Sequence, residues 1–325
     1  MSKVFAEHSP LAWTIFNLLI LGILALDLGI FHRKPREIPV HEALWTTAGY
    51  IALALSFNAW IYFEYGEPKA IEFLTGYFIE YALSMDNILV FVVILSYFQV
   101  PAQSQMRVLL WGIIGSLILR GIFILAGFAL IEAFDWMVIV LGAFLIYTGI
   151  KTMMSGDESV DLEDSRVIRI VRRIIPITPE YHGERFFTRV GSGTGKAFAT
   201  PLFLVLIVIN ITDVIFALDS IPAIFAITRD PFIVYTSNVF AVLGLRALYF
   251  ALSGMVDKFR YLKFGLSLVL IFIGIKMVYN YPSWLKDIPN EWALGVTAGL
   301  IFASILASIV RNRLDQRAER MSAPR

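Results

Sequence analysis

Two short polar segments interrupt long apolar runs of the sequence. The first, EYALSMDN, begins with Glu80 and contains Asp86 and Asn87; the second, DVIFALDS, begins with Asp213 and contains Asp219. On insertion scales, each charged group at the centre of a membrane helix costs roughly 2.5–3.5 kcal/mol. These carboxylates therefore need a neutralising group, which is a proton, an arginine within the membrane or a bound cation.

Helix geometry places most of these polar side chains on two narrow faces. At 3.6 residues per turn, Glu80, Ser84 and Asn87 share one face of a helix. The matching face of the second segment is formed by Asn210, Asp213 and Ser220. Asp86 and Asp219 lie about 100° away from these faces in an ideal helix.

A local helix break would bring all four carboxylates together. In the second segment, Pro222 provides a cause for such a break, because it has no N–H to donate to the carbonyl of Leu218. The first segment has Leu89 at the equivalent position and lacks this cause. We therefore expect a break at the second segment, with the Leu218 carbonyl as a further oxygen.

The donor set consists of oxygen atoms, which favours hard cations such as Mg²⁺, Ca²⁺ or Mn²⁺ over Cu⁺ or Zn²⁺. The chain has no cysteine, and its four histidines are scattered through loops. Closely spaced carboxylates cannot all stay ionised without a cation, so metal binding is expected to release protons. The predicted metal ligands are Glu80, Asp86, Asn87, Asn210, Asp213 and Asp219.

Two arginines within the apolar segments provide an alternative neutraliser. Arg120 and Arg246 are predicted to pair with Asp86 and Asp219 as structural ion pairs. Ion pairing and cation binding can also occur together, and the sequence leaves all three arrangements open.

The composition is that of a polytopic membrane protein. Of the 325 residues, 58% are hydrophobic and only 16% are charged, and the mean hydropathy is +0.72. A membrane-spanning helix needs roughly 20 mainly apolar residues. By this measure the chain is predicted to be all-α, with nine transmembrane helices at about 11–31, 42–63, 71–98, 106–131, 134–154, 198–227, 231–254, 258–280 and 291–310.

The basic residues are distributed unevenly between the two sets of loops. Of the 27 Lys and Arg residues, 19 lie in the loops that follow the odd-numbered spans, including the C-terminal tail, and four lie in the opposite set. Cytoplasmic loops carry an excess of Lys and Arg. The sequence therefore predicts a multi-pass protein of the cell (inner or plasma) membrane, with its N-terminus outside and its C-terminus in the cytoplasm.

The two polar segments belong to an internal repeat with an offset of 133 residues. Downstream, the pattern around Arg120 and Lys151 recurs around Arg246 and Lys276, with separations of 31 and 30 residues. Both lysines are predicted to extend to the membrane surface. Three spans per unit is an odd number, so the two units are predicted to have inverted topology, as is typical of secondary transporters. Duplication in a protein that transports nothing is the alternative.

The predicted division of the chain follows from this repeat. The segment 155–197 is a cytoplasmic loop in which SRVIRIVRRIIP predicts a short amphipathic helix on the membrane surface. We expect its arginines on one face, and Ile168, Val171 and Ile175 on another. The motif GSGTGK within the loop lacks the spacing of a phosphate-binding loop. The remaining parts are two N-terminal helices (1–70), the repeats 71–154 and 198–280, and a last helix with a basic tail (281–325).

The strings EYALSMDNILVF, GIKM and ATPLFLVLIVINITDVIFALDSIPAIFAITRDPFIVYTSNVFAVLGLRALYF resemble the TerC family of integral membrane proteins, and within it the Alx branch. The resemblance implies export of divalent manganese from the cytoplasm, with some members supplying metal to secreted enzymes. It also implies that the metal-site acids are Glu80, Asp86, Asp213 and Asp219, with Asn87 beside them. Asn210 departs from the family, which commonly carries glutamate there, so a weaker or altered ion preference is expected.

Three functions remain open at this point. The first is a secondary transporter that exports Mn²⁺, with protons as a candidate counter-ion. The second is a non-transporting membrane partner that helps load metal into exported proteins, with secreted proteins or translocation machinery as partners. The third is an intramembrane aspartyl protease, but the Gly-x-Gly-Asp motif expected of one is absent before Asp219. The sequence favours a transporter over an enzyme and predicts no organic cofactor and no nucleic-acid partner.

Overall fold

The computed structural model describes residues 10–30, 39–154, 166–189, 197–252, 261–281 and 287–322. These residues form ten α-helices and one two-stranded antiparallel sheet. In chain order, the elements are α1 Pro10–Ile30, α2 Val40–Tyr65, α3 Glu67–Tyr97, α4 Ala102–Ala133, α5 Met137–Met154, α6 Arg166–Ile174, β1 Phe187–Arg189, β2 Ala197–Ala199, α7 Pro201–Phe225, α8 Pro231–Leu252, α9 Leu262–Tyr279 and α10 Asn290–Ser322.

Each predicted apolar segment coincides with one of these helices. Seven described helices, namely α3, α4, α5, α7, α8, α9 and α10, are long and apolar enough to cross a membrane. Helix α1 contributes a shorter apolar stretch, Pro10–Leu26. Helices suit such sequences because every backbone polar group is bonded within the segment and none faces lipid unpaired. The chain is thus a polytopic helical membrane protein, while the count of nine spans stays a prediction.

Helix α8 lies at the centre of the bundle, and 94% of its apolar window is buried by the other helices. Helix α3 packs along α8, α4 along α7, and α5 along α9. Helices α1 and α2 attach to α8 through an aromatic cluster that includes Phe16, Phe57, Phe232 and Phe240. The rings of Phe57 and Phe240, for example, lie 4.9 Å apart between centroids. The centre of the protein is therefore the meeting point of α3, α4, α7 and α8.

Helices α5 and α9 approach each other closely at small residues. A Cβ atom on Gly274 would lie 2.6 Å from the carbonyl oxygen of Gly142, and one on Gly149 would lie 2.9 Å from the carbonyl oxygen of Ser267. Small residues allow this backbone-to-backbone contact between membrane helices. From the first contact to the second, the chain advances from Gly142 to Gly149 along α5 but goes back from Gly274 to Ser267 along α9. These two helices therefore run antiparallel.

The short helix α6 confirms the helical prediction in the 155–197 loop but corrects its environment. Ile168 and Val171 are buried in a core cluster together with Val205 of α7 and Leu109 of α4. The predicted contact of this apolar face with lipid is therefore wrong. The chain re-enters the bundle at Pro201, directly after β2, which pairs with β1 in an antiparallel register.

Side-chain contacts fix this loop to the ends of α3 and α4. The hydroxyl of Tyr181 donates a hydrogen bond of 2.6 Å to the carbonyl oxygen of Phe98. Burial raises the pKa of Tyr181, so its hydroxyl remains a donor at physiological pH. Arg107 pairs with Glu184 at 3.4 Å and lies 5.5 Å from the ring centroid of Phe186. The described residues of the loop, 166–189, thus form a folded cap over one end of the bundle.

Candidate cation-binding site

A buried arginine joins the first acids of the two polar segments. Arg120 of α4 donates through Nη1 to Oε1 of Glu80 on α3. Its Nε and Nη2 atoms each donate to one carboxylate oxygen of Asp213 on α7, both at 2.9 Å. The Asp213 contact is thus bidentate, which is the strong geometry for an arginine–carboxylate pair. Arg120 is only 1% exposed, so this triad is shielded from water.

The two helix faces predicted from the spacing are buried except at Asn210, which is half-buried. Glu80, Ser84 and Asn87 are all buried, as are Asp213 and Ser220 on the matching face of α7. Helix α3 contacts both α7 and α8, and α7 also contacts α4, so these faces point into the bundle. The polar residues that composition would have assigned to lipid therefore face protein.

Several oxygen atoms on these faces have no hydrogen-bond partner among the described residues. They are Oε2 of Glu80, Oγ of Ser84, Oδ1 of Asn210 and Oγ of Ser220. A buried polar atom without a partner costs about 1–3 kcal/mol. Native proteins contain few such atoms, and each one calls for a physical explanation. These atoms lie on the same two helix faces as Glu80 and Asp213.

Arg120 has two described carboxylate partners, Glu80 and Asp213, which the predicted ion pairs did not include. Asp219 faces α5, where it lies beside the Thr148 hydroxyl and within electrostatic reach of Lys151. The side chain of Asp86 lies outside the described part of the chain. The reason is rotational: six residues along a helix turn Asp219 about 120° away from Asp213.

The expected helix break is not present. Helix α7 continues from Pro201 to Phe225 through the whole polar segment, and Pro222 lies in its last turn. A proline there removes one intrahelical bond, but only one turn of helix follows that could bend away. The backbone of α3 is likewise helical from Glu67 to Tyr97. The carboxylates of Asp213 and Asp219 therefore remain splayed.

Two further predicted residues, Asn210 and Arg246, lie near the triad. The amide of Asn210 donates to the carbonyl oxygen of Leu206 at 2.9 Å, and its side chain rests against Gly115. Arg246 is buried and lines a cavity of about 10 Å³ together with Asp213 and Ser116. This volume is close to the space that one water molecule needs. In this conformation the site has no room for a hydrated cation.

Two residues of the site were missed by the sequence reasoning. Ser116 donates a short hydrogen bond to Oδ2 of Asp213, and Oδ1 of Asn238 lies 3.5 Å from Nη1 of Arg120. Ser116 precedes Arg120 by four residues and so shares its face of α4, a spacing that could have identified it. Asn238 lies on the central helix α8 and had no comparable signal.

The opposite end of the bundle from the cap contains a larger cleft of about 450 Å³, lined by Glu72, Lys276, Asp287 and Asn290, among others. The Lys276 ammonium donates to the Ala226 carbonyl oxygen and to Oδ1 of Asn290, both at 2.9 Å. Lys276 is 2% exposed, so the prediction that it extends to the membrane surface is wrong. It ties the end of α7 to α9 and α10 instead.

The carboxylates of the two segments do not form a ready-made metal site in this conformation. Within the described ranges, no group of three or more Asp, Glu or His side chains is placed to hold a metal ion. Glu80 and Asp213 do meet, but they meet around the guanidinium of Arg120. The assignment of all six predicted ligands to one metal ion stays a prediction.

Comparison with protein families supports the resemblance noted from the motifs. The sequence profile of the Integral membrane protein TerC family matches residues 65–316, which is most of the chain. The chain belongs to the TerC family. The match includes both polar segments, both buried arginines and helices α3 to α9, so the site lies wholly within the family domain.

Relatives of this TerC protein match over nearly their full length. An uncharacterized membrane protein of Myxococcus xanthus, STKORF319, is 48% identical over 305 residues, covering 94% of each chain. A protein of Escherichia coli (strain K12) named "Putative membrane-bound redox modulator Alx" is 42% identical over 319 residues, covering 95% of this chain and 97% of its own. No solved structure matches the chain significantly.

Proposed function

We propose that this TerC protein is a secondary transporter that exports a hard divalent cation from the cytoplasm, with Mn²⁺ as the first candidate. The observation that carries the proposal is the group of buried oxygens on α3 and α7. There the carboxylates of Glu80 and Asp213 share two helix faces with the oxygens of Ser84, Asn210 and Ser220, which have no described hydrogen-bond partner. Such an all-oxygen set suits hard cations. The choice of manganese rests on the family resemblance.

The packing of α5 against α9 supports the inverted repeat. With the offset that relates Lys151 to Lys276, Gly142 corresponds to Ser267 and Gly149 to Gly274. The contact between Gly142 and Gly274 then maps onto the contact between Ser267 and Gly149. A two-fold axis in the membrane plane would exchange α5 and α9, so that they run antiparallel and each contact between them occurs twice. The pairs α3–α8 and α4–α7 are equivalent in the same way.

The proposed orientation gives the two ends of the bundle different roles. Nine spans with the basic loops inside would place the α6 cap at the cytoplasmic face of the cell inner membrane. The 450 Å³ cleft beside Lys276 would then open to the outside. Alternating access would connect the buried site to each face in turn.

The name of the E. coli relative raises redox modulation as a different function. This chain has no cysteine, so its own side chains cannot perform thiol–disulfide exchange. The oxygen-rich site is chemically suited to moving a cation and offers no redox-active side chain. We therefore propose a non-enzymatic, cation-linked role, with lipid and the cation as its partners.

Manganese content in cells tests this function. In bacteria that lack their own manganese exporters, expression of the protein is expected to lower cell-associated manganese under manganese load. For Asp219→Asn, we expect the efflux rate to fall at least about tenfold, because the change removes one of the predicted carboxylate ligands of the cation. Glu132→Gln is the matched control, since Glu132 is exposed near the end of α4, and it should keep wild-type efflux.

The outcomes of this experiment separate the alternatives. Manganese contents that are equal with the wild type and with an empty vector would contradict the exporter and favour a metal-supplying partner protein. Wild-type efflux by Asp219→Asn would exclude Asp219 from the cation path. Elemental analysis of washed cells, normalised to the amount of protein in the membrane, gives the readout.

A further inference from the structure

We propose that Arg120 is a built-in competitor of the transported cation, and that the guanidinium and the cation occupy the oxygens of Glu80 and Asp213 in turn. This inference rests on the proposed function and adds the event that exchanges the two occupants. Arg120 is then a moving part of the transport cycle. A structural ion pair would keep the same partners throughout the cycle.

The hydrogen bonds of Arg120 show that it holds the atoms a cation would need. Of the four carboxylate oxygens, Oε1 of Glu80 and both oxygens of Asp213 accept hydrogen bonds from the guanidinium. Only Oε2 of Glu80 has no described partner. A divalent cation takes six or more oxygen ligands at about 2.0–2.6 Å. It could not take Glu80 and Asp213 as ligands while the guanidinium stays there, because two positive charges would share the same oxygens.

The space around the triad leads to the same conclusion. The adjoining cavity between Asp213, Ser116 and Arg246 encloses about 10 Å³, with further walls from apolar side chains such as Phe91 and Ile209. A cation that keeps even a few waters needs more space than this. Its entry therefore requires the guanidinium to leave the position between Glu80 and Asp213.

An alternative acceptor for Arg120 lies on the central helix. Oδ1 of Asn238 is 3.5 Å from Nη1 of Arg120, and Nδ2 of Asn238 has no partner in the described part of the chain. A small movement of α4 relative to α8 would shorten the Arg120–Asn238 contact as the carboxylates turn to the cation. Asn238 is neutral, so it can accept the arginine without adding a competing charge.

The exchange has a consequence for transport. Without cargo, Arg120 neutralises two buried carboxylates, and the empty transporter can change conformation at low cost. Without Arg120, the empty transporter would have to move two unpaired buried charges, whereas the cation-loaded form would be neutralised as before. Loss of Arg120 is therefore expected to impair net transport selectively and to spare exchange of cation for cation.

Transport by purified protein in liposomes tests this expectation. Radioactive Mn²⁺ is followed in two assays, net efflux into manganese-free buffer and exchange against unlabelled Mn²⁺. For Arg120→Gln, we expect the ratio of net efflux to exchange to fall at least about tenfold. Arg120→Lys keeps a positive charge and should stay within about threefold of the wild-type ratio. Arg107→Gln, on the same helix but outside the site, is the control and should match the wild type.

Equilibrium binding of Mn²⁺ gives a second readout. Removal of a competitor should tighten binding, so Arg120→Gln should lower the dissociation constant at least about tenfold, and Arg120→Lys should lower it by a smaller factor. Equal losses of net efflux and exchange, or binding no tighter than that of the wild type, would overturn the proposal. If Arg120→Gln does not fold, the binding result for Arg120→Lys alone decides. A wild type without net efflux or exchange would contradict the proposed function itself.

Discussion

Replacing Asp213 by asparagine is expected to lower the free energy of unfolding by about 3–5 kcal/mol, which is the usual cost of breaking a buried ion pair. Asp213 accepts two hydrogen bonds from Arg120 and one from Ser116. The substitution removes the negative charge and leaves a fully buried guanidinium with Glu80 as its one described anionic partner. Denaturant titration of the protein in detergent micelles measures the effect.

The matched control is Asp219→Asn, which makes the same chemical change six residues along the same helix. Asp219 is half-buried and faces Thr148 and Lys151 of α5. Its loss should cost at most about 1 kcal/mol, as for a partly exposed pair. Equal losses of stability in the two variants would contradict the assignment of Asp213 as the buried anchor of Arg120.

The second large effect is expected at the crossing of α5 and α9. A side chain on Gly274 has to displace the backbone of α5, because its Cβ would lie 2.6 Å from the Gly142 carbonyl oxygen and 3.0 Å from the Ile146 backbone nitrogen. Overpacking of this kind lowers the free energy of unfolding by about 1–3 kcal/mol, and contact with rigid backbone favours a value near 3 kcal/mol. We expect Gly274→Val to show this loss of stability in denaturant titration. It should also reduce transport, because the larger side chain separates the two helices.

Gly295→Val provides the comparison for this substitution. Gly295 lies in α10, and no heavy atom is within 4 Å of the position of its Cβ. This variant should unfold at the wild-type denaturant concentration. An unchanged stability for Gly274→Val would show that the two helices do not touch at this point in the membrane. It would also remove the packing argument for the inverted repeat.

Periodicity determined which features of the site could be predicted. The spacing of Glu80, Ser84 and Asn87 placed them on one helix face, and all three are buried. The repeat around Lys151 and Lys276 related α5 to α9, and these helices do pack against each other. These inferences needed only the geometry of single helices and the assumption that polar groups avoid lipid.

The partners of Arg120 could not be predicted because they depend on the rotation of three helices about their axes. The spacing between an arginine and an acid 40 or 93 residues away carries no information on that rotation. The predicted helix break at Pro222 was wrong for a local reason, because a proline in the last turn of α7 leaves too little helix after it to bend. The apolar face of α6 was recognised, but the sequence did not indicate whether lipid or protein covers it.

Manganese flux through purified protein is the most direct test of the central claim that the oxygens of Glu80 and Asp213 hold the exported cation. In liposomes with a manganese gradient, the wild type is expected to transport Mn²⁺. Glu80→Gln keeps the shape of the side chain and removes its charge, and it should reduce flux at least about tenfold. Glu132→Gln should be unaffected. Wild-type flux from correctly folded Glu80→Gln protein, or no flux from the wild type, would contradict the account.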